Sequence, residues 1–201
     1  SITNALASTT YISSGSTFPH PRNPPGDLPI RELVRWYDGL LSQGVRTHFN
    51  YRIFSSPIAG ALFRRYWIWR RGRVIEGINL DYARAVTEAV RRIDGSVKVI
   101  CTGGFQHASM IAGAIRSGAC DAVSIGRPLI ANPTLPEMLR TADGPPAGKE
   151  CTYCNKCLIN DLENPLGCYE LSRFGGDTFE ERYEAGIALL GLAVGAGFLA
   201  G

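Results

Sequence analysis

Hydrophobic and polar positions follow two different periods along the chain, and the period of each stretch predicts its element. Apolar runs rich in β-branched residues cover Val97–Cys101 and Ala122–Ile125, which predicts two strands buried on both faces. Between them, Gln106–Ser117 carries apolar residues at helical spacing, and Gly118 follows as a stop. A strand, a helix and a strand in this order predict a parallel pair with a right-handed crossover.

The remaining periodicity predicts a short strand and two longer helices. Thr10–Ser14 is a strand candidate, and Ile30–Ser42 and Leu80–Ile93 are amphipathic helix candidates. Asn79 is a candidate N-cap of the second helix, whereas Thr47–Leu62 shows no regular pattern. The expected buried face of the second helix consists of Tyr82, Ala85, Val86, Ala89, Val90 and Ile93.

Glycines follow both strands of the central unit. Gly103-Gly104 ends the first strand, and Gly126-Arg127 ends the second. In parallel α/β folds ligands collect at the carboxyl ends of strands. Exposed backbone N–H groups and one guanidinium at such an edge are typical of a phosphate cradle. The alternative is a pair of tight loops with a surface arginine, and the tandem spacing favours the phosphate site.

Four short motifs carry a resemblance to a known family: TGGF, SIGRPLIANP, CTYCNKCL and ENPLGCY. They resemble the C-terminal part of the old yellow enzymes, the NADH:flavin oxidoreductases. The likeness is to the branch with a cysteine cluster, which includes 2,4-dienoyl-CoA reductase and trimethylamine dehydrogenase. The resemblance implies an α/β fold, namely the C-terminal portion (about strands 6–8) of a (β/α)8 TIM barrel followed by a cysteine-rich segment.

The same resemblance implies which residues hold the cofactor. Gly103, Gly104 and Phe105 are the expected FMN phosphate contacts after the seventh barrel strand, and Gly126 and Arg127 those after the eighth. It also implies NAD(P)H as electron donor and a small-molecule substrate. No catalytic residue is assigned, because the family's substrate and flavin-ring contacts come from earlier strands.

A length of 201 residues suits one sizeable core, whereas a complete TIM barrel takes about 250 residues. We therefore expect a fragment that lacks about the first five barrel strands. The predicted organisation is a partial barrel over residues 1–148, a four-cysteine segment over 149–176, and a tail over 177–201. Unpaired strand edges predict oligomerisation or poor solubility.

Charge and hydropathy narrow the expected partners. The net charge of +3 argues against a nucleic-acid partner. The aromatic and basic run Phe63–Arg73 is compatible with base stacking or with an acidic membrane surface, but at this net charge the favoured interpretation is an amphipathic element that buries its aromatics. The apolar tail Gly186–Gly201 is shorter than the roughly 20 residues of a bilayer span, so it is at most a truncated apolar anchor. We expect no membrane association and a cytoplasmic location.

The cysteines indicate an inorganic site. The spacing C-x2-C-x2-C-x10-C favours a [4Fe–4S] cluster over structural zinc, with free thiols third, and comprises Cys151, Cys154, Cys157 and Cys168. Cys101 and Cys120 are expected to be buried and structural.

Together these features favour an FMN-dependent oxidoreductase, present here without its catalytic N-terminal half. The second hypothesis is an inactive or non-enzymatic metal module, held by cysteines on a broken barrel. A third keeps the phosphate cradle on a barrel with a different chemistry.

Overall fold

The structure, a computed structural model, describes residues 9–12, 26–39, 44–72, 75–160, 164–178 and 180–186. The end of the first predicted strand (13–14), the end of the first predicted helix (40–42) and most of the apolar tail (187–201) lie outside these residues. By internal contacts the chain forms two compact units. The first unit is Ser1–Thr17 with Val74–Cys151, and the second is Phe18–Arg73 with Thr152–Gly201. The three-part domain division stays a prediction.

The elements follow one another as a short strand, three helices, a strand–helix–strand region and further short helices. In chain order they are β1 (Thr9–Ile12), α1 (Ile30–Gly39), α2 (Val45–Ser55), α3 (Pro57–Arg71), α4 (Leu80–Ile93), β2 (Lys98–Thr102), α5 (Ala108–Arg116), β3 (Ala122–Ser124), α6 (Arg127–Ala131), α7 (Leu135–Thr141) and α8 (Lys156–Asn160). A 3-10 turn at Leu171–Arg173 follows, and residues 180–186 are helical.

The first unit is built on a parallel sheet with strand order β1-β2-β3. Tyr11 pairs with Ile100 in the β1–β2 ladder, and Cys101 pairs with Val123 in the β2–β3 ladder. The predicted parallel pairing of β2 and β3 is thereby confirmed. A mixed helix and strand structure around a small parallel sheet is compatible with the α/β class, but three strands within the described ranges do not confirm a TIM barrel.

Strand β2 is buried on one face and only partly covered on the other. Val99 and Cys101 have no exposed surface, while Ile100 between them is half-buried. The prediction of a strand buried on both faces was therefore wrong in degree, because side chains alternate between the faces of a sheet and only one face is fully covered here. The fully covered face supports a core of mostly small side chains: Ala83, Cys101, Phe105, Ala114 and Cys120.

Helix α4 has the predicted bounds but buries a different face. Its buried residues are Ala83 and Thr87, whereas Tyr82 is 60% and Ile93 87% exposed. The Thr87 hydroxyl donates a hydrogen bond of 2.9 Å to the Ala119 carbonyl. The small side chains of Ala83 and Thr87 let α4 approach the sheet closely, so the face that carries them is buried. Hydrophobicity alone predicted the face that carries Tyr82 and Ile93.

The second unit contains two helices in a stretch that the sequence left irregular. Helix α3 begins where Ser56 Oγ accepts a hydrogen bond of 3.3 Å from the Ala59 amide, with Pro57 in the first turn. This Ser-Pro pair is a helix start signal, which the irregular hydrophobic pattern obscured. The core of the unit consists of large side chains: Leu28, Leu33, Phe54, Trp67 and Ile159.

Among the helices in the described ranges, none is both long and apolar enough to cross a membrane.

Candidate functional site

The glycine-containing ends of β2 and β3 lie side by side. Thr102 pairs with Ser124 at the last position of the ladder, and hydrogen-bonded strands are about 4.8 Å apart. Gly103 follows the first of these residues and Gly126 comes two positions after the second. The structure therefore brings the two halves of the predicted cradle to the same edge of one sheet.

Glycine is required at the two positions after β2 for different structural reasons. A Cβ on Gly103 would lie 3.3 Å from the Asn79 amide nitrogen, and the Gly103 carbonyl accepts a hydrogen bond of 2.6 Å from the Gly77 amide. Gly104 has a φ of 68°, a backbone conformation that favours glycine. Gly103 thus permits close packing against the start of α4, and Gly104 makes the turn.

The other predicted contacts occupy distinct environments. The Phe105 side chain has no exposed surface and belongs to the core of the first unit, so its contact with a ligand would come from the backbone. A Cβ on Gly126 would meet nothing within 4 Å, which leaves open space at this position. Arg127 is half-buried and begins α6.

A carboxylate that the sequence analysis missed anchors the loop after β2. Glu76 Oε1 accepts hydrogen bonds of 2.8 Å and 2.9 Å from the Gln106 and His107 amides. Glu76 Oε2 lies 2.7 Å from His107 Nδ1. Because these two amides are already bound to a carboxylate, neither of them is a candidate for a phosphate contact. The sequence hints at this role only through the position of Glu76, an acidic residue directly before the turn at Gly77.

The amide side chain of Gln106 fixes the same loop to the end of the first unit. Gln106 Oε1 accepts a hydrogen bond of 2.9 Å from the Cys151 amide, and its Nε2 donates one of 3.3 Å to the Cys151 carbonyl. Gln106 was predicted to open the following helix, but α5 begins at Ala108. The Gln106 side chain is 6% exposed, and its hydrogen bonds stabilise the loop after Gly103-Gly104 and not helix α5.

The side chains of Asn79 and Asp143 make further hydrogen bonds near the loop after β2. Asn79 occupies the N-cap position of α4, as predicted, but its side chain makes no capping hydrogen bond. Its Nδ2 donates a 2.5 Å hydrogen bond to the Thr102 carbonyl at the end of β2. Asp143 accepts hydrogen bonds from the Ser109 amide and hydroxyl at 2.6 Å and 3.0 Å. These Ser109 donors hold the pKa of Asp143 below its usual value.

The two buried thiols in the core of the first unit, Cys101 and Cys120, have a structural role and not a reactive one. Cys101 and Cys120 are 0% and 1% exposed, as predicted. Burial and the neighbouring Cys120 raise the pKa of Cys101 to about 12. Because the thiolate is the reactive form of cysteine, a pKa this high keeps Cys101 inert at neutral pH.

The predicted metal cysteines lie partly in each unit. Cys151 is the last residue of the first unit, and Cys154, Cys157 and Cys168 belong to the second. Within the second unit, Tyr153 and Asn155 have positive φ values of 54° and 62°. This backbone is fixed by Asp27, whose amide donates a 2.8 Å hydrogen bond to the Tyr153 carbonyl.

The structure does not support the predicted [4Fe–4S] cluster. In the portion of the chain that is described, no three His, Cys, Asp or Glu side chains are grouped to hold a metal ion. Cys168 Sγ already accepts a contact of 3.1 Å from the Arg173 guanidinium. The four-cysteine metal site gains no support and stays a prediction.

A stretch of 62 residues is 34% identical to the NADH-dependent flavin oxidoreductase iccE of Talaromyces variabilis. The match covers 31% of this chain and 14% of that relative's length. No family model matches the chain, and no solved structure matches it.

This likeness supports an oxidoreductase related to the old yellow enzyme family and extends no further. The branch with the cysteine cluster is not confirmed by it, and neither is the barrel. Because the match spans only a small part of the relative's length, the activity of that whole protein does not transfer to this chain.

Proposed function

We propose that the chain is part of an FMN-dependent NAD(P)H oxidoreductase of the old yellow enzyme type, and that the β2–β3 edge binds the FMN phosphate. The observation that carries the proposal is the meeting of Gly103-Gly104 and Gly126-Arg127 at one edge of a parallel sheet. The partial likeness to an NADH-dependent flavin oxidoreductase supports the same class of cofactor.

The residues at this edge suit a phosphate. The positive φ of Gly104 turns the chain at the end of β2. A Cβ on Gly126 would meet nothing within 4 Å, so a ligand can approach the backbone there. Amides of the loop offer N–H donors, and the Arg127 guanidinium offers a planar pair of donors that matches phosphate oxygens. The Glu76 carboxylate holds the loop in shape.

The flavin, when bound, would accept a hydride from a nicotinamide and pass it to an acceptor. The part of this chain is to bind and orient the phosphate end. The small-molecule acceptor is part of the proposal and is contacted by residues outside this edge.

The sharpest test compares two flavins that differ only in the phosphate. FMN and riboflavin are titrated against the full chain, and binding is followed by quenching of flavin fluorescence. We expect FMN to bind more tightly than riboflavin. Arg127→Ala should weaken FMN binding by about tenfold to a hundredfold, as loss of a charged hydrogen-bond partner does, and leave riboflavin binding unchanged.

Arg116→Ala is the matched control, since Arg116 is exposed in the last turn of α5. It should leave both affinities unchanged. Equal loss of FMN and riboflavin binding in Arg127→Ala would contradict a phosphate contact. Failure of the parent chain to bind either flavin would contradict the proposal for this chain.

Metal analysis tests the alternative of a cysteine-ligated module. Since the donor groups do not converge, we expect chain purified without oxygen to hold no stoichiometric iron or zinc. About four irons per chain, which a [4Fe–4S] site requires, would contradict this expectation. One zinc per chain, lost on substitution of Cys157 by Ser, would favour the non-enzymatic module.

A further inference from the structure

Helix α3 exposes an apolar stripe along its length. Ile58, Leu62, Tyr66 and Trp69 are 75%, 64%, 50% and 73% exposed. With Arg65 they occupy positions i, i+4, i+7, i+8 and i+11, which lie on one face of a helix. The interpretation that this segment buries its aromatics was therefore wrong for Tyr66 and Trp69, and the outward face needs its own explanation.

The opposite face of α3 is firmly packed, so the exposed stripe is not the result of a loose helix. Trp67 is 1% exposed, and its indole nitrogen donates a hydrogen bond of 3.0 Å to the Gly26 carbonyl. Phe63 packs edge-on against Phe54, with ring centroids 5.1 Å apart. Arg64 pairs with Asp27 at 2.6 Å. These contacts set the rotation of α3 and direct the stripe outward.

Charge is concentrated in the same part of the chain. Residues 39–75 contain seven arginines, no lysine and no acidic residue, whereas acidic residues outnumber basic ones in the rest of the chain. A net charge of +3 for the whole chain conceals this asymmetry. Arg65 lies within the stripe, and Arg70 is exposed beside it.

We propose that the stripe of α3 is a peripheral docking surface for an anionic lipid bilayer. Aliphatic side chains at Ile58 and Leu62 suit the boundary between headgroups and acyl chains, and Tyr and Trp are enriched at that depth. Arg65 and Arg70 then lie among anionic headgroups, where each basic residue adds attraction. This inference does not rest on the proposed flavin function.

Two other occupants fit the same stripe less well. A second copy of the chain bound through the same stripe would bury two Arg65 side chains in one interface without an acidic partner from the stripe, and like charges in an interface oppose association. Single-stranded nucleic acid would stack on Tyr66 and Trp69, but Ile58 and Leu62 offer no flat face for a base. The lipid surface uses both the apolar and the basic members of the stripe.

The test is sedimentation of the full chain with vesicles of phosphatidylcholine alone and of phosphatidylcholine mixed with phosphatidylserine. We expect binding to the mixed vesicles only, and weaker binding as salt is raised. Arg65→Gln with Arg70→Gln should lower the affinity on the order of twentyfold. Leu62→Ser with Trp69→Ser should lower it at least about tenfold.

Helix α4 supplies matched controls, since it also exposes apolar and basic side chains but carries acidic residues too. Tyr82→Ser with Ile93→Ser removes a comparable exposed apolar pair. Arg84→Gln with Arg92→Gln removes the same charge from exposed positions. Both should leave vesicle binding unchanged. All variants keep the apolar segment Gly186–Gly201, so binding through that segment would persist in every one of them.

Several outcomes would overturn the proposal. Equal binding to neutral and anionic vesicles would show that charge does not contribute to the interaction. Unchanged binding of both α3 variants would show that the stripe is not the docking surface. A parent chain that binds no vesicle but forms a dimer broken by Leu62→Ser with Trp69→Ser would assign the stripe to a second copy. Binding of an oligonucleotide in place of vesicles would assign it to nucleic acid.

Discussion

The two units of this chain form their cores with side chains of very different size. In the first unit the core is built mainly from alanine and cysteine around Phe105. In the second it is built from leucine, phenylalanine and isoleucine around Trp67. A parallel sheet aligns its strands through backbone hydrogen bonds, and small side chains let a helix lie close to it. Helices without a sheet rely on large side chains that fill the space between them.

This difference predicts opposite sensitivities. The first unit should tolerate loss of side-chain volume better than gain, because its helix lies close to the sheet. The second should depend on one or two large anchors. Two substitution experiments test this contrast, and a third tests the buried thiol in the core of the first unit; they follow in descending order of expected effect.

The largest effect is expected at Trp67. Trp67→Ala removes a fully buried indole and its hydrogen bond to Gly26, which should lower the free energy of unfolding by about 3–5 kcal/mol. Trp69→Ala on the same helix removes an exposed indole and should change it by less than about 0.5 kcal/mol. Denaturant unfolding, with hydrogen exchange of the α3 amides, measures both. Equal effects of the two substitutions would contradict the anchor role of Trp67.

The buried thiol of Cys101 predicts a loss of stability at high pH. Burial raises its pKa from 9.0 to about 12 in the folded chain. Above pH 9 the unfolded chain loses this proton while the folded chain keeps it, so stability falls as pH rises from 9 to 12. The slope from this one group approaches about 1.4 kcal/mol per pH unit.

The comparison is between the parent chain and Cys101→Ala, whose side chain does not titrate. Denaturant unfolding at several pH values from 8 to 11 should give a shallower loss of stability in the variant. Parallel pH profiles of the two chains would show that Cys101 titrates normally in the folded state.

The smallest effect of the three is expected from added volume in the first unit. Ala83 has no exposed surface on α4, so Ala83→Leu should force α4 away from the sheet and cost about 1–3 kcal/mol. Ala85→Leu, two positions on and exposed, should be nearly neutral. Thermal or denaturant unfolding decides between them, and tolerance of both leucines would mean that α4 packs less closely than the structure indicates.

Much of the candidate site could be predicted from the sequence because it depends on local signals. A β-branched run followed by Gly-Gly, and a second run followed by Gly-Arg, predict strand ends with exposed backbone, and a connecting helix makes the strands parallel. The Glu76 carboxylate was not predictable in the same way. It lies 30 residues from the Gln106 amide that it accepts from, and no local pattern relates two such positions.

The surface of α3 was also not predictable from local sequence patterns. Its aromatic and basic run was visible in the sequence, and averaging charge over the whole chain led to the wrong expectation for Tyr66 and Trp69. Which aromatics are buried depends on the rotation of the helix, and that rotation is set by the distant contacts of Trp67 and Arg64 with residues 26 and 27.

Local sequence patterns are therefore sufficient to predict the parallel strand pair, the bounds of α4, the burial of Cys101 and the glycines at the strand ends. These features follow from backbone conformation and short-range periodicity, which are properties of neighbouring residues. Three other features become visible only in the folded chain: which faces of α3 and α4 are buried, which groups the amides of Asn79 and Gln106 contact, and that, within the described part of the chain, the cysteines of the second unit do not group as metal ligands. These features depend on packing between segments far apart in the chain, where close approach and hydrogen-bond partners outweigh hydrophobicity.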